Sequence, residues 1–214
     1  MDEVRDDITN DLIQNSYAVE TAGMECTELI ALFTRNLEEA GGEVQTFTSN
    51  AALHHWLLEF VKTNAVTSAI LSSEDYLKNL HIADALKSEA SLHAVQMLQQ
   101  KDFDYRSYTE RTQLGIGLAH AGIAESGAVI IASTPHESRS MSLLVETHIA
   151  ILDAKNLWKR LHQAAPMIDD LLLNHNISAI TIVAGPSKTA DIEKVLITGV
   201  HGPKRFIVCI MNRE

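Results

Sequence analysis

The fold is decided by residues 180–211, ITIVAGPSKTADIEKVLITGVHGPKRFIVCIM. They contain a segment rich in turn-forming residues that lies between two β-branched runs. The runs at 177–185 and 205–211 predict two strands, because short stretches rich in isoleucine and valine favour sheets. The segment between them, at 184–203, holds three glycines, two prolines, two acids, two lysines and a histidine. It is too irregular for one ordinary helix, so it is either a binding site or an elaborate connection.

The chain before this segment alternates between helical and extended patterns. Apolar residues recur at helical spacing in 26–40 and 49–64, and Gly41 with Gly42 should end the first of these helices. The extended patterns predict strands at 43–47, 65–71 and 147–153. This alternation predicts an α/β fold with a mainly parallel sheet, in one structural domain.

A β-hairpin is predicted at 121–133, where Ser126 and Gly127 form a tight-turn pair between two apolar runs. The more polar region before it favours two short helices, at 76–80 and 90–98.

Two further helices are expected from local signals. Ser107 and Glu110 fit a capping box, so a helix should begin there and run toward residues 115–120. Another helix is predicted at 154–175, and Pro166 should kink it or divide it in two. Its inward-facing residues are predicted to be Leu157, Leu161, Ala165, Ile168 and Leu172.

Composition restricts the class of protein. The chain of 214 residues has a net charge of −11 and only 5% aromatic residues, which disfavours nucleic acid as a partner. Cys26 and Cys209 fit neither a disulfide framework nor a metal site, and we expect no metal. The acidic N-terminus lacks an apolar core, and no run reaches the roughly 18 residues of a membrane span. We therefore expect a cytoplasmic protein without a membrane span.

The turn at 185–189 is the first candidate binding element. It follows the predicted strand at 177–185, and ligands of open α/β sheets bind beyond the carboxyl ends of strands. Ser187 and Thr189 offer hydroxyls and Lys188 a positive charge, which suits an anion. The G-x-x-x-x-G-K spacing of a phosphate-binding Walker loop is absent. The structural alternative is a strand-to-helix turn with Asp191 as a local cap.

Two other positions carry groups suited to chemistry. His201 lies in a turn shaped by Gly199, Gly202 and Pro203, and imidazole exchanges protons near neutral pH. Glu125 interrupts the apolar hairpin, so it should be paired or face a cleft if it is buried. The structural alternatives are an exposed turn histidine and a solvated acid at the hairpin tip.

Four stretches occur together in this order: GIAESGAVIIAS at 122–133, THIAILD at 147–153, AGPSKTADIEKVLITGVHGP at 184–203 and RFIVCIM at 205–211. Together they resemble the LUD-domain family, and within it the lactate utilisation protein C (LutC/YkgG) group. The resemblance is strongest over 115–211, and the pairing of G-P-S-x-T-A-D-I-E with G-V-H-G-P is its most specific signal.

The resemblance implies a Rossmann-like, mainly parallel sheet related to the sugar-phosphate isomerase and CoA-transferase (NagB/RpiA/CoA transferase-like) fold. Residues 1–42 would then be an N-terminal helical segment packed on an LUD-type α/β domain at 43–214. It also implies a role in oxidising L-lactate to pyruvate beside two iron–sulfur partner proteins. No cofactor is then expected in this chain, and a small anionic ligand is expected to bind it.

The same resemblance marks a candidate site. Its acid–base groups would be Glu125 and His201. Its ligand-binding positions would be Gly185, Ser187, Lys188, Thr189, Asp191, Glu193, Gly199 and Gly202. The chain departs from the family pattern at Ala128, where a hydroxyl is usual, and in lacking a proline before the strand at 147–153.

Two functional hypotheses follow. The first is a binding or assembly subunit of a lactate-oxidising system, which holds an anionic ligand or a partner. The second is a stand-alone enzyme that acts on a small phosphorylated or CoA-linked metabolite through Glu125. The second rests on fold analogy alone. A lone nicotinamide-dependent oxidoreductase is disfavoured, because no G-x-G-x-x-G follows a predicted strand.

Overall fold

The computed structural model of the chain describes residues 25–92, 94–97, 104–174, 176–190, 196–198 and 202–213. The helices are α1 (Cys26–Glu39), α2 (Asn50–Thr63), α3 (Asp75–Asn79), α4 (Ile82–Lys87), α5 (Tyr105–Thr109), α6 (Met141–Leu144) and α7 (Ala165–Asn174), with 3₁₀ turns at Ala154–Asn156 and Leu161–Ala164. The strands are β1 (Glu43–Phe47), β2 (Ser68–Leu71), β3 (Ala94–Met97), β4 (Leu114–Ala119), β5 (Ala121–Ile123), β6 (Ala128–Ser133), β7 (Thr147–Asp153), β8 (Leu157–Trp158), β9 (Ala179–Val183), β10 (Lys188–Ala190), β11 (Leu196–Thr198) and β12 (Arg205–Met211).

The central sheet is parallel throughout. Its six strands lie in the order β1-β12-β7-β4-β2-β3. A second, four-stranded sheet has the order β8-β5-β6-β9, in which β6 is antiparallel to both β5 and β9. Strands β10 and β11 form a separate antiparallel ribbon. The predicted α/β class with a mainly parallel sheet is therefore confirmed, and so is the predicted hairpin at 121–133.

Apolar layers cover both faces of the central sheet. On one face, Ile149 of β7 belongs to a buried cluster that includes Leu57 of α2. On the other face, Leu152 of β7 clusters with Phe33 of α1 and Val129 of β6. Alternate residues of one strand thus point to opposite layers, and each fully buried side chain contributes about 1.5–3 kcal/mol of hydrophobic stabilisation.

Helix α1 runs from the carboxyl edge of the central sheet to its amino edge. The Sγ atom of Cys26, at its start, lies 3.7 Å from the Oδ1 atom of Asn212, just beyond the end of β12. Gly41 follows its last turn with φ of 90°, a conformation that glycine adopts without strain. This confirms that the glycine pair ends the helix, and β1 begins directly after it at the amino edge.

The helix expected from Ser107 toward residues 115–120 is wrong. Asp104 is the residue that caps the short helix α5, because its Oδ1 atom accepts a hydrogen bond of 3.1 Å from the Ser107 amide. The chain then enters β4, a central strand. Leu114 and Ile116 alternate with glycines at the period of a strand, and that pattern prevails over the capping signal.

Two other helix predictions need correction. The helix expected at 90–98 is wrong, because Ala94–Met97 is the edge strand β3 paired with β2. The predicted helix at 154–175 is largely replaced by 3₁₀ turns and the short strand β8, and a regular helix begins only at Ala165. Pro166 lies in the first turn of this helix, a position that proline favours, and so marks its start rather than a kink or division within a longer helix. Leu161 is 43% exposed and Leu172 is 57% exposed, so the predicted inward positions of both residues are wrong.

Candidate functional site

The predicted hairpin turn packs on the last turns of α1. The Asn36 side chain donates a hydrogen bond of 2.7 Å to the carbonyl of Ala124. Gly127 has φ of 60°, and a Cβ atom there would overlap the backbone of Leu37. Glycine is therefore required at this turn by close packing against a helix.

Glu125 lies at the exposed tip of the same turn. Its side chain is about half exposed, and its Oε2 atom lies 3.4 Å from the Nε atom of Arg160. Its amide donates a hydrogen bond of 3.0 Å to the carbonyl of Lys159. The carboxylate is thus a solvated acid with a cationic neighbour, as the structural alternative from the sequence anticipated.

The turn that follows β9 packs beside this hairpin. Gly185 has φ of 125°, and a Cβ atom there would lie 3.1 Å from the carbonyl oxygen of Ala40, just after α1. The Ser187 amide donates a hydrogen bond of 3.1 Å to the carbonyl of Pro203. A Cβ atom on Gly202 would lie 3.0 Å from the Cβ atom of Ser187, so the two glycine-rich turns touch each other.

We call Glu125, Arg160, Gly185, Ser187 and Gly202 the amino-edge cluster. The backbone of the predicted residues Lys188 and Thr189 begins β10 next to it. The remaining predicted positions, Asp191, Glu193, Gly199 and His201, lie outside the described residues. Among the described positions, Ser187 and Gly202 touch each other, whereas a shared site that includes Glu125 stays a prediction.

The cluster lies at the amino edge of the central sheet. The hairpin turn at Gly127 and the turn at Gly185 both contact the C-terminal end of α1, and Pro203 precedes the first residue of β12 by two positions. The expectation that the Gly185 turn follows a strand of the parallel sheet is wrong. Strand β9 pairs antiparallel with β6 in the second sheet, and an antiparallel strand can end at either edge of the central sheet.

A different cleft lies at the carboxyl edge of the central sheet. It has a volume of about 370 Å³. Its lining residues are Glu74, Asp75, Tyr76, Leu118, His120, Thr134, Asp153, Asn156, Met167, Asp170 and Leu171. We call it the carboxyl-edge cleft. Its polar residues come from the ends of β2, β4 and β7, and α7 closes one side.

The position of this cleft follows from the strand order. The chain continues from β2 to β3 on one side, whereas the next strand of this sheet after β4 is β7, on the other side. The connections that leave β2 and β4 therefore run to opposite sides of the sheet. Such a topological switch point is where open α/β sheets bind ligands.

Tyr76 lies between two charged groups at one end of the cleft. The Nη2 atom of Arg213 lies 3.3 Å from its hydroxyl oxygen. Burial raises the pKa of Tyr76 to about 12, and the negative charge of Asp153 acts in the same direction. The phenol is therefore protonated at neutral pH and can donate a hydrogen bond.

The backbone determines the tautomer of His120. The Ala132 amide lies 3.3 Å from the Nδ1 atom of the ring. An amide can only donate, so Nδ1 accepts and the proton of the neutral ring is on Nε2. The ring therefore offers a donor at Nε2 when it is neutral.

Glu137 is buried next to Leu118, one of the residues that line the cleft. The Leu118 amide donates a hydrogen bond of 2.9 Å to its Oε2 atom, and Oε1 has no hydrogen-bond partner within the described ranges. Burial raises the pKa of Glu137 to about 8, and the charge of Glu74 adds to this. A Cβ atom on Gly117 would overlap the carboxyl group, so a bare backbone is needed beside it.

Sequence reasoning missed this cleft. Asp153 is the last residue of one segment predicted as a strand, and Glu74 follows another. Polar residues at the ends of predicted strands can indicate a ligand site. His120 was assigned to a helix, so its place at a strand end was not foreseen. Nothing in the sequence indicated that Asp170 of α7 would join them.

Two kinds of feature are absent from the residues that the structure describes. No group of three or more histidine, cysteine, aspartate or glutamate side chains has the arrangement to hold a metal ion. Within the same ranges, no helix has the length and apolar character needed to cross a bilayer.

The sequence of this chain is similar to a family of known proteins over most of its length. The family model of the LUD domain matches residues 30–211. The "Uncharacterized protein YkgG" of Escherichia coli (strain K12) is 31% identical over 167 residues, which cover 77% of this chain and 71% of that protein. The "Lactate utilization protein C 1" of Bacillus mycoides is 30% identical over 195 residues, which cover 90% of this chain and 82% of that protein.

One solved structure shares the fold. A DUF162 family protein from Deinococcus radiodurans aligns with a TM-score of 0.65 over 89% of this chain and 100% of its own. The two sequences are 13% identical, so this similarity concerns the architecture only.

Proposed function

Because the chain belongs to the LUD-domain family, we propose that it takes part in lactate utilisation, as a subunit of a system that oxidises L-lactate to pyruvate. Two iron–sulfur proteins are its proposed partners. The observation that carries the proposal is the match to the Bacillus mycoides relative, whose name states lactate utilisation, over 90% of this chain.

We assign the redox chemistry to the partners because this chain offers too few cysteine ligands for an iron–sulfur cluster. Oxidation of lactate removes a pair of electrons and a pair of protons, so an electron acceptor is required. An iron–sulfur cluster is usually held by four cysteines, and this chain has two. Cys209 is buried in β12, and burial raises the pKa of its thiol, which disfavours the thiolate that would ligate iron. The residues of this chain therefore do not fit a cluster.

We assign the binding of a small anion or of a partner to the amino-edge cluster and the adjoining β10. The turns there are packed against α1 and against each other, so the backbone of this region holds its shape before a ligand arrives. Lys188 begins β10 next to Ser187 and adds a positive charge. A preorganised turn with a neighbouring cation suits a carboxylate or a phosphate.

The alternative of a stand-alone enzyme acting through Glu125 has no specific observation in its favour. Glu125 is half exposed and beside Arg160, and it lies at the opposite edge from the carboxyl-edge cleft.

Deletion of the gene in the source organism tests the proposal. We expect loss of growth on L-lactate as the carbon source and normal growth on pyruvate, the product of the proposed reaction. Restoring the gene should restore growth on lactate. Undiminished growth of the deletion strain on L-lactate, in the absence of a second copy, would contradict the proposed role.

Reconstitution tests the role as a subunit. The purified chain should not oxidise L-lactate with an artificial electron acceptor, and turnover should appear when the two partner proteins are added. Sustained turnover by the chain alone, without a bound redox group, would contradict the assignment of the redox chemistry to partners.

A charge-removing variant tests the anion assignment. We expect Lys188→Met to weaken the binding of inorganic phosphate or L-lactate about tenfold, as the loss of a charge-assisted hydrogen bond implies. Calorimetry at low salt measures this. Lys87→Met, an exposed lysine on α4, is the matched control and should bind as the wild type does. Equal affinity of the Lys188 variant and the wild type would show that the lysine is only a surface charge.

A further inference from the structure

We propose that strand β9 and the C-terminal end of α7 form the surface on which a second copy of this chain docks. The two β9 strands would pair antiparallel about a two-fold axis and join the two four-stranded sheets into one sheet. This inference does not depend on the proposed role in lactate utilisation. It rests on an unprotected strand edge, on exposed apolar side chains beside it and on the lack of charge in this part of an acidic chain.

Strand β9 lies at the edge of the second sheet. Within the described ranges it pairs with β6 only. None of its five residues is buried, whereas all six residues of β6 are buried. A strand in this position presents backbone amides and carbonyls with which a further strand can pair.

Two other edge strands of the molecule carry the usual protection against such pairing. Strand β8, at the opposite edge of the second sheet, has two residues and is followed directly by Lys159 and Arg160. Strand β1, at one edge of the central sheet, begins with Glu43, which forms an ion pair with Arg205. Short length and charged side chains hinder edge-to-edge association. Strand β9 is longer and contains neither a charged residue nor a proline, so its edge is open to a partner strand.

Large apolar side chains are exposed on β9 and on the helix that precedes it. Ile182 of β9 is 53% exposed, and Leu172 and Leu173 at the end of α7 are 57% and 83% exposed. Residues 175–178 alone separate α7 from β9, so the end of the helix lies close to the start of the strand. Aliphatic side chains with this exposure favour a partner that removes them from water.

Charge identifies a second copy as the occupant of this surface. The chain carries a net charge of −11, so two copies repel each other across most of their surfaces. Residues 171–187, LLLNHNISAITIVAGPS, contain no lysine, arginine, aspartate or glutamate, although these residues make up 21% of the chain. Two copies can therefore meet here without placing like charges opposite each other. A basic partner protein would instead be attracted to the acidic faces.

A two-fold dimer would also bring the partner copy close to the amino-edge cluster. In such a dimer the same surface meets itself, so a strand at the axis pairs antiparallel with its own copy. The start of one β9 then lies beside the end of the other, which precedes Gly185 by two residues. The exposed residues Asn176 and Ser178 of one copy would thus adjoin the Gly185 turn of the other.

Sedimentation velocity tests whether the dimer exists. At about 100 µM chain, a concentration at which a dimer of micromolar affinity is largely formed, we expect a species of about 47 kDa, twice the 23.6 kDa of one chain. A monomer under these conditions would overturn the proposal, and it would do so even if the same surface proved to bind a different protein.

Hydrogen exchange tests where the copies meet. In the dimer, the amides of Ala179–Val183 that face the free edge should exchange at least about tenfold more slowly than in the dilute monomer, because they gain hydrogen bonds. Equal exchange of these amides in monomer and dimer would place the interface elsewhere and overturn the proposal.

Charged variants test the same surface independently. Ile182→Glu places an acid on both sides of the two-fold axis and should raise the dissociation constant of the dimer at least about 100-fold. Ala51→Glu adds the same charge at an exposed position of α2 and should leave that constant unchanged. If Ala51→Glu weakens the dimer as much as Ile182→Glu does, the effect is one of net charge and the proposal fails.

A helix variant decides the matter if Ile182→Glu does not fold. Leu173 is largely exposed at the end of α7, so Leu173→Glu should fold as the wild type does, and its far-ultraviolet circular dichroism spectrum checks this. We expect it to raise the dissociation constant of the dimer at least about tenfold. A folded Leu173→Glu chain that dimerises as tightly as the wild type would overturn the proposal.

Discussion

The two edges of the central sheet differ in how their residues are arranged along the chain. The amino-edge cluster draws on two short segments with many glycines and a recognisable pattern. The carboxyl-edge cleft draws its residues from at least four segments, and none of these segments carries a motif. The pattern that is easiest to read in the sequence therefore marks a different place from the cleft at the usual ligand-binding edge.

The packing of the glycines explains much of this difference. Gly127 and Gly185 lie against the end of α1 with positive φ, and Gly202 lies against Ser187. Close packing of turns requires a particular residue type at a particular spacing, which produces a motif. A cleft at strand ends needs only polar residues after each strand, and the sheet supplies the spacing.

The largest effect should come from Gly127→Ala. The new Cβ atom would overlap the backbone of Leu37, and the residue would also keep a left-handed conformation. We expect a loss of about 3–5 kcal/mol in the free energy of unfolding, from overpacking and backbone strain together. Urea unfolding measures it. Gly185→Ala meets its nearest atom only at 3.1 Å and should lose less. Equal, small losses in both variants would refute the packing explanation of the motif.

The carboxyl edge should respond to rising pH through Glu137. Its pKa is about 8 in the folded protein and near 4.5 in the unfolded chain, so only the folded state holds this proton in between. Stability is therefore greatest below the lower value and is lost as the pH rises through the higher one. We expect the wild type to lose about 2 kcal/mol relative to Glu137→Gln between about pH 5.5 and pH 7.5. Parallel stability–pH curves for the two proteins would contradict this.

The amino half of the sheet should show the opposite response through His148. This histidine is fully buried in β7 beside Phe206, and burial lowers its pKa to about 4. Below about pH 6.5 the unfolded chain takes up a proton that the folded protein does not, so stability falls as the pH falls toward 4.

A single variant isolates this contribution. We expect the wild type to lose about 1–2 kcal/mol relative to His148→Leu between about pH 6.5 and pH 5. The variant should be at least as stable as the wild type at pH 8, because neither ring nitrogen has a hydrogen-bond partner among the described residues. If the stability difference between the two proteins is the same at pH 5 as at pH 6.5, His148 takes up a proton in the folded protein and the prediction is wrong.

The sequence predicted the fold well where one local signal dominated. The Ser126–Gly127 turn predicted the hairpin, and β-branched runs predicted β7 and β12. The prediction of a helix over β4 was wrong, because it gave the capping signal at Ser107 more weight than the two-residue alternation of Leu114 and Ile116. It also failed at β3, whose strand character depends on pairing with β2, a non-local contact.

The site was harder to predict for a related reason. The sequence indicated that Glu125, Gly185 and Gly202 belong together, because each lies in a turn within the family pattern. It did not indicate the edge at which they lie, since that depends on β9 joining the second sheet. Glu74, His120 and Asp153 become neighbours only through the strand order, which no local pattern specifies.

The smallest effect on stability should come from Glu125→Gln at the amino edge. Its ion pair with Arg160 is 3.4 Å long and both side chains are substantially exposed, so water screens it. We expect a change below about 1 kcal/mol in the free energy of unfolding, the usual range for such pairs. Glu146→Gln, which removes the similarly exposed partner of Lys204, is the matched control and should change stability equally little.

Because neither substitution should unfold the protein, growth of the two variants on L-lactate shows whether the Glu125 carboxylate has a functional role. If Glu125 belongs to a functional surface, only its variant should impair growth. A loss of several kcal/mol in Glu125→Gln would instead make the carboxylate a structural part of the packed turn.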